Sequence, residues 1–334
     1  MSLFRVTFAS LGVLALICSA ASAETPKSIG KIQRLDPAID KLIPADAVIE
    51  VLADGFDWSE GPVWVPQGEY LLFSDIPPNR IIKWKEGEGA SVFMTPSGYT
   101  GDAPFAGKEP GTNGLILDAD GNLTACCHGD RNIVKFVDGR RVVLADKYDG
   151  KRFNSPNDLV MHSNGDIYFT DPPYGLPKNF DDPSREQPWC GVYRLKKNGQ
   201  VELVTNKLTR PNGVALSPDE KRMYVAQSDP KQATITQYPV HADGSVGEGT
   251  VFFDATDLVG KKPGLPDGMA IDAQGNVWAT GPGGVLIFTP AGKQIGLLDT
   301  GVPTANCTFG DDGYLYVTAD MYLCRVKTKT TAAQ

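Results

Sequence analysis

Residues 113–121 read Asn113-Gly-Leu-Ile-Leu-Asp-Ala-Asp-Gly121, and a second apolar run, 123–126, follows at once. A polar residue, a short apolar run, an Asp/Gly turn and another apolar run together make a β-hairpin signal. The pattern returns at Glu60-Gly-Pro-Val-Trp-Val-Pro-Gln-Gly68, Asn157-Asp-Leu-Val-Met-His-Ser-Asn-Gly165, Asn212-Gly-Val-Ala-Leu-Ser-Pro-Asp-Glu220 and Asp267-Gly-Met-Ala-Ile-Asp-Ala-Gln-Gly275. A sixth copy, Asn306-Cys-Thr-Phe-Gly-Asp-Asp-Gly313, is one residue shorter. Second strands are expected at 70–74, 123–126, 167–170, 223–226, 277–280 and 315–318.

The copies start 53, 44, 55, 55 and 39 residues apart, which leaves room for about four short strands per unit. Further strands fit at 80–84, 133–137, 191–195 and 236–240. Residues 48–52 precede the first hairpin and are placed to close a ring by pairing with the last unit. The expected fold is all-β, a six-bladed β-propeller occupying residues 24–334 as one domain. A β-sandwich is the alternative; six copies of one hairpin favour radial repetition.

Before that domain, Arg5, an apolar core over 11–17 and Ala21-Ser22-Ala23 have the form of a signal peptide spanning 1–23. Ile17 is too large for a lipoprotein box at Cys18. No later segment approaches the ~20 apolar residues of a membrane span, so a periplasmic or secreted protein is expected. The net charge of −8, without blocks of like charge, argues against a nucleic-acid partner. Five cysteines follow the leader, an odd count that cannot pair fully. Cys307 and Cys324 are either a staple within the last repeat or a pair of buried small hydrophobes.

In a propeller, one position taken from every repeat converges on one end of the central channel. Here that position holds Glu60, Asn113, Asn157, Asn212, Asp267 and Asn306, all with oxygen-bearing side chains. Such crowding is unfavourable unless water or a cation compensates it. Hard oxygen donors suit Ca²⁺ first, with Mg²⁺, Mn²⁺ and Zn²⁺ as alternatives. Glu60 and Asp267 would balance one divalent ion, and the amides of Asn157 and Asn212 would add neutral ligands. The alternative is that the ring caps strand starts around a water-filled pore. The second strands would return Asp75, His128, Asp171, Asp229 and Asp320 to the same mouth. His128 and Arg131 are candidate contacts to a substrate oxygen, Asn113 is another from the ring, and Asp171 lies in a proline-stiffened loop. Turn roles remain open for each.

At these residues the chain resembles the family of gluconolactonases, senescence marker protein 30 and luciferin-regenerating enzyme, and the bacterial gluconolactonases fit best. The motifs that carry the resemblance are Ser59-Glu-Gly-Pro-Val-Trp64, Asn154-Ser-Pro-Asn-Asp158, Thr170-Asp-Pro-Pro-Tyr-Gly175, Pro211-Asn-Gly213 and Pro266-Asp-Gly268, in order along nearly the whole mature chain. The resemblance implies a metal bound by Glu60, Asn212 and Asp267, with Asn157 as a further ligand or a substrate contact. It also implies Asp267 as the acid/base carboxylate and Arg152 as a substrate contact. The implied reaction is metal-dependent hydrolysis of a small-molecule lactone of the sugar type. Hydrolysis of another ester or an organophosphate on the same metal, and a non-catalytic ligand-binding propeller, are the rivals. The motifs of other hydrolases are missing: there is no Gly-x-Ser-x-Gly elbow and no His-Glu-x-x-His.

Overall fold

Alternating strands and tight turns leave each four-stranded unit with two apolar faces, and such a sheet must bury both. The computed structural model describes residues 27–333; the expected signal peptide lies outside the described residues. In it, six antiparallel sheets radiate as the blades of a β-propeller. From the axis outward, blade 1 is Ser59–Val65, Tyr70–Asp75, Arg80–Lys85 and Gly89–Met94. Blade 2 is Thr112–Leu117, Leu123–Cys127, Asn132–Val137 and Arg140–Ala145, and blade 3 is Leu159–Met161, Ile167–Asp171, Gly191–Leu195 and Val201–Thr205. Blade 4 is Pro211–Leu216, Arg222–Gln227, Thr234–Pro239 and Thr250–Asp254.

Blade 5 runs Met269–Ile271, Val277–Gly281, Gly284–Phe288 and Gln294–Asp299, and gains a fifth, outermost strand from Lys31–Arg34. Blade 6 takes three strands from the C-terminal part, Asn306–Phe309, Tyr314–Ala319 and Tyr322–Lys327. Its fourth is Glu50–Asp54, which pairs antiparallel with Tyr322–Lys327. The ring is therefore closed by the segment ahead of the first hairpin, as its position suggests. The pairing is reinforced by Arg325, whose Nε donates to Glu50 Oε2 at 2.7 Å.

The core is six wedges, one between each pair of neighbouring blades. Leu72 and Ile81 meet Leu115 and Ala125 between blades 1 and 2. Leu71, Phe73 and Trp84 meet Tyr316 and Leu323 between blades 1 and 6. The wedge between blades 5 and 6 holds Trp278, fully buried and edge-on to Phe309 with centroids 5.5 Å apart. Its indole Nε1 donates to Asp272 Oδ2 at 3.2 Å. Trp278→Ala is expected to cost about 3–5 kcal/mol, read as a fall in the urea midpoint; an unchanged midpoint would contradict this packing.

All five cysteines among the described residues are free and buried. Cys307 and Cys324 both face Val317, from strands on either side of it. Two strand spacings put them about 10 Å apart, beyond the reach of a disulfide. They act as small hydrophobes, and no staple joins them. Among the described residues no helix is long and apolar enough to cross a membrane.

Candidate functional site

The side chains at the channel mouth point inward because the sheet ladder fails where they sit. In blades 1, 2 and 4 the pairing of the two innermost strands skips between Glu60 and Val63, Thr112 and Leu115, and Pro211 and Val214. Such bulges re-aim a side chain. In blades 3 and 5 the inner strand begins two residues after Asn157 and Asp267, and in blade 6 Asn306 opens it. Small residues then let the blades close up. A Cβ on Gly213 would stand 2.2 Å from the Asp267 carbonyl oxygen. Hydroxyls stitch neighbouring blades together, Ser74 Oγ donating to the Asn113 carbonyl at 2.8 Å and Thr170 Oγ1 to that of Asn212 at 2.7 Å.

The result is a cavity of about 390 Å³, walled by Glu60, Asn113, Asn157, Asn212 and Asp267. Trp58, Ile76, Leu265 and Pro303 add apolar wall, and Glu109, Tyr174 and Arg210 add polar groups. The volume and the mixed lining suit a small polar ligand. Each ring amide has its nitrogen engaged. Asn212 Nδ2 donates at 2.8 Å to Ser228 Oγ, which itself donates to the Pro266 carbonyl at 2.6 Å. The Nδ2 groups of Asn113 and Asn157 each lie 3.4 Å from His128 Nε2. Asn306 Nδ2 donates to Glu60 Oε2 at 3.3 Å, and the Gly61 amide donates to the same oxygen at 2.6 Å.

With the nitrogens occupied, Oδ1 of Asn113, Oδ1 of Asn157 and Oδ1 of Asp267 are buried without a partner. Leaving such atoms unpaired costs roughly 1–3 kcal/mol each, so a ligand is expected to engage them. The carboxylates show the same deficit. Burial pushes Glu60 up to about 8, with Asp158 adding to the rise against the pull of the Gly61 amide. Burial likewise raises Asp267 well above the usual range, with Glu60 and Asp158 contributing. A cation would relieve both groups. The donor set fits a hard divalent ion through two carboxylates and amide oxygens. It does not form a cluster of acids or histidines: among the described residues no three His, Cys, Asp or Glu side chains are arranged to hold an ion.

The structure brings Glu60, Asn113, Asn157, Asn212 and Asp267 to one cavity and leaves other candidates outside it. Asn306 belongs to the ring through Glu60 but faces the deeper channel. Arg152 is exposed, its Nη2 donating to the Asp130 carbonyl at 3.0 Å, and it does not reach the cavity. Asp171 is fully buried and takes the backbone amides of Asn154 and Ser155 on its two oxygens, each at 2.8 Å. It therefore anchors the Asn154 loop and contacts no cavity. Asp75 does the same for the amides of Asp57 and Trp58, while Asp229 caps a turn by accepting from the Lys231 amide. Carboxylates at the ends of second strands meet the free N–H groups of the adjoining loops, and that use prevails over display at the mouth. Arg131 donates to the Phe153 and Ser184 carbonyls. His128 stands behind Asn113 and Asn157, with no exposed surface.

Trp58, Glu109 and Arg210 also line the cavity, and the repeat could not reveal Glu109, which lies in a loop outside its register. Trp58 and Arg210 stand two residues before ring positions Glu60 and Asn212, an offset that would have found them. Deeper in the channel, Asp158 accepts the amides of Leu159 and Val214, tying blade 3 to blade 4. Burial pushes its carboxyl up to about 7.

A six-bladed propeller with an oxygen-lined pocket at one channel mouth is the class that fold and site define. The chain belongs to the SMP-30/gluconolactonase/LRE-like family, whose model matches residues 58–320. It is 42% identical to a gluconolactonase of Zymomonas mobilis, over 97% of this chain and 95% of that one. A pentonolactonase of Haloferax volcanii is 28% identical over 78% of this chain and 80% of its own length. Among solved structures, a gluconolactonase from Xanthomonas campestris superposes with a TM-score of 0.79 at 31% identity, covering 93% of this chain and 99% of that one.

Proposed function

We propose that this protein is a lactonase that opens sugar-type lactones with the help of one divalent cation, Ca²⁺ foremost. Glu60, Asn157, Asn212 and Asp267 would hold the ion, and Asn113 would face the substrate. The observation that carries the reading is the set of buried, unpartnered oxygens on Asn113, Asn157 and Asp267 around one cavity. Nearly full-length similarity to a gluconolactonase supports the substrate class.

A bound divalent ion would supply Lewis-acid polarisation of the lactone carbonyl and the positive charge that keeps the ring carboxylates ionised. The chain's own groups would do the rest. Asp267 accepts the proton of the attacking water, because its Oδ1 is otherwise unoccupied. The apolar wall of Trp58, Ile76, Leu265 and Pro303 limits bulk water around the ester. Arg210 and Tyr174, which line the cavity, would hydrogen-bond the hydroxyls of a sugar ring.

Chelator treatment is expected to abolish ring opening of aldonolactones in a pH-stat assay, and added Ca²⁺ to restore it. Full turnover after exhaustive chelation would refute the metal role. Faster hydrolysis of phosphotriesters or simple esters than of any aldonolactone would refute the substrate class. Export is part of the same reading, resting on the leader-like pattern of 1–23. A mature N-terminus at Glu24 is the expected product in a periplasmic or culture fraction; an intact N-terminus there would contradict cleavage.

A further inference from the structure

His128 is the one histidine behind the pocket: His162 lies in the turn joining the two inner strands of blade 3, and His241 in the turn after the third strand of blade 4. It has no exposed surface and does not line the cavity. Its surroundings are nonetheless specific. Nε2 lies 3.4 Å from the Nδ2 of Asn113 and 3.4 Å from the Nδ2 of Asn157, on two different blades. On the other side of the ring, Glu109 Oε2 stands 3.3 Å from Nδ1, off the line of an ideal hydrogen bond. The ring is clamped in place by Gly175, where a Cβ would come within 2.5 Å of the His128 Cβ.

These contacts favour one arrangement of protons. An imidazole has one N–H and one bare nitrogen when neutral, and the neighbour of each nitrogen decides which is which. The Glu109 carboxylate favours the proton on Nδ1. Nε2 is then a bare acceptor that faces two amides. A side-chain amide turned over would set its Oδ1 against that lone pair, acceptor against acceptor, so both amides keep Nδ2 toward the ring. Each Oδ1 must then point the opposite way, and both are the buried oxygens left without a partner at the pocket. Ser228 performs the equivalent service for Asn212 alone.

We propose that His128, set in its Nδ1–H tautomer by Glu109, is a positioning residue that turns the amide oxygens of Asn113 and Asn157 into the pocket. The role rests on the proposed metal and lactone site, which those two oxygens would serve. Outer contacts of this type commonly carry 10–100-fold of metal affinity or activity when removed.

Two measurements test it, and they fail separately. Long-range ¹H–¹⁵N correlation of the three histidines should show His128 with a protonated Nδ1 and a bare Nε2. The opposite tautomer, or an imidazolium, would overturn the proposal whatever the metal does. Calorimetric Ca²⁺ titration of His128→Leu should then show affinity weakened about 10–100-fold, with His128→Gln, whose carbonyl can still accept from the amides, recovering most of it. Equal affinity in wild type and His128→Leu, or equal loss in both variants, would also overturn it. Should His128→Leu fail to fold, Glu109→Gln at the half-exposed partner is expected to weaken Ca²⁺ binding several-fold, and an unchanged affinity there would count against the proposal. Absence of any Ca²⁺ binding by the wild type, with the expected tautomer present, would refute the metal reading and leave the hydrogen-bond arrangement standing.

Discussion

Asp267→Asn is expected to lower kcat for lactone opening by about 10³-fold or more while leaving the propeller folded. The substitution preserves shape and removes the one ring carboxylate whose Oδ1 has no hydrogen bond. It takes away a proton acceptor, worth about 10²–10⁴, and a charged ligand. The effect on stability should run the other way. In the metal-free protein, burial and the nearby Glu60 and Asp158 carboxylates oppose ionisation of Asp267, pushing it well above the usual carboxylate range. A neutral Asn relieves that repulsion, so chelated Asp267→Asn should melt no lower than chelated wild type. The pattern of lost activity with retained stability marks a functional group kept at a structural cost. Activity within tenfold of wild type would remove Asp267 from the chemistry. A large fall in melting temperature would make it structural.

Gly213→Ala should produce a large structural effect for a single methyl at the site. The added Cβ would lie 2.2 Å from the Asp267 oxygen, 2.7 Å from the Gly268 Cα and 2.8 Å from the Asp267 carbonyl carbon. All three are backbone atoms, so no side chain can rotate away. Blade 4 and blade 5 must separate, at about 1–3 kcal/mol for overpacking, and Asp267 moves with its backbone. Loss of activity beyond the loss of stability is therefore expected. Gly199→Ala is the control, because nothing lies within 4 Å of its Cβ position and only its φ of +87° opposes the change. A melting temperature for Gly213→Ala equal to or above that of the control would show that the blades are not in contact there.

The fold was legible because each blade announces itself with the same hairpin and because the polar residue before each inner strand keeps its register. Ring closure by the residues near 50 was legible too, since an unpaired strand ahead of the first hairpin has only the last blade to join. Lys31–Arg34 was not foreseen: it is short and mostly polar, and its pairing with blade 5 spans the chain, as in the Gln33–Asp299 contact 266 residues apart. At the site, repeat position identified the inward-facing oxygens but overestimated the ends of the second strands. Asp171 and Asp75 occupy equivalent places and serve loop amides instead. Side chains supplied by irregular loops, such as Glu109, share no periodicity with the blades, and no pattern of spacing could place them.

Closure by the N-terminal strands also has a consequence in time. Glu50 leaves the ribosome 275 residues ahead of its partner Arg325, so blades 1 to 5 can form in order during synthesis while blade 6 waits for both ends. Domains usually fold as units, N-terminal parts first, and pairings this distant are slow to form. The emerging chain must therefore carry an open arc with an uncovered wedge face on blade 1 until its last strand arrives. Aggregation during expression should concentrate in that interval, and a chaperone that shields apolar β-sheet should raise the yield of closed rings more than it changes their final stability.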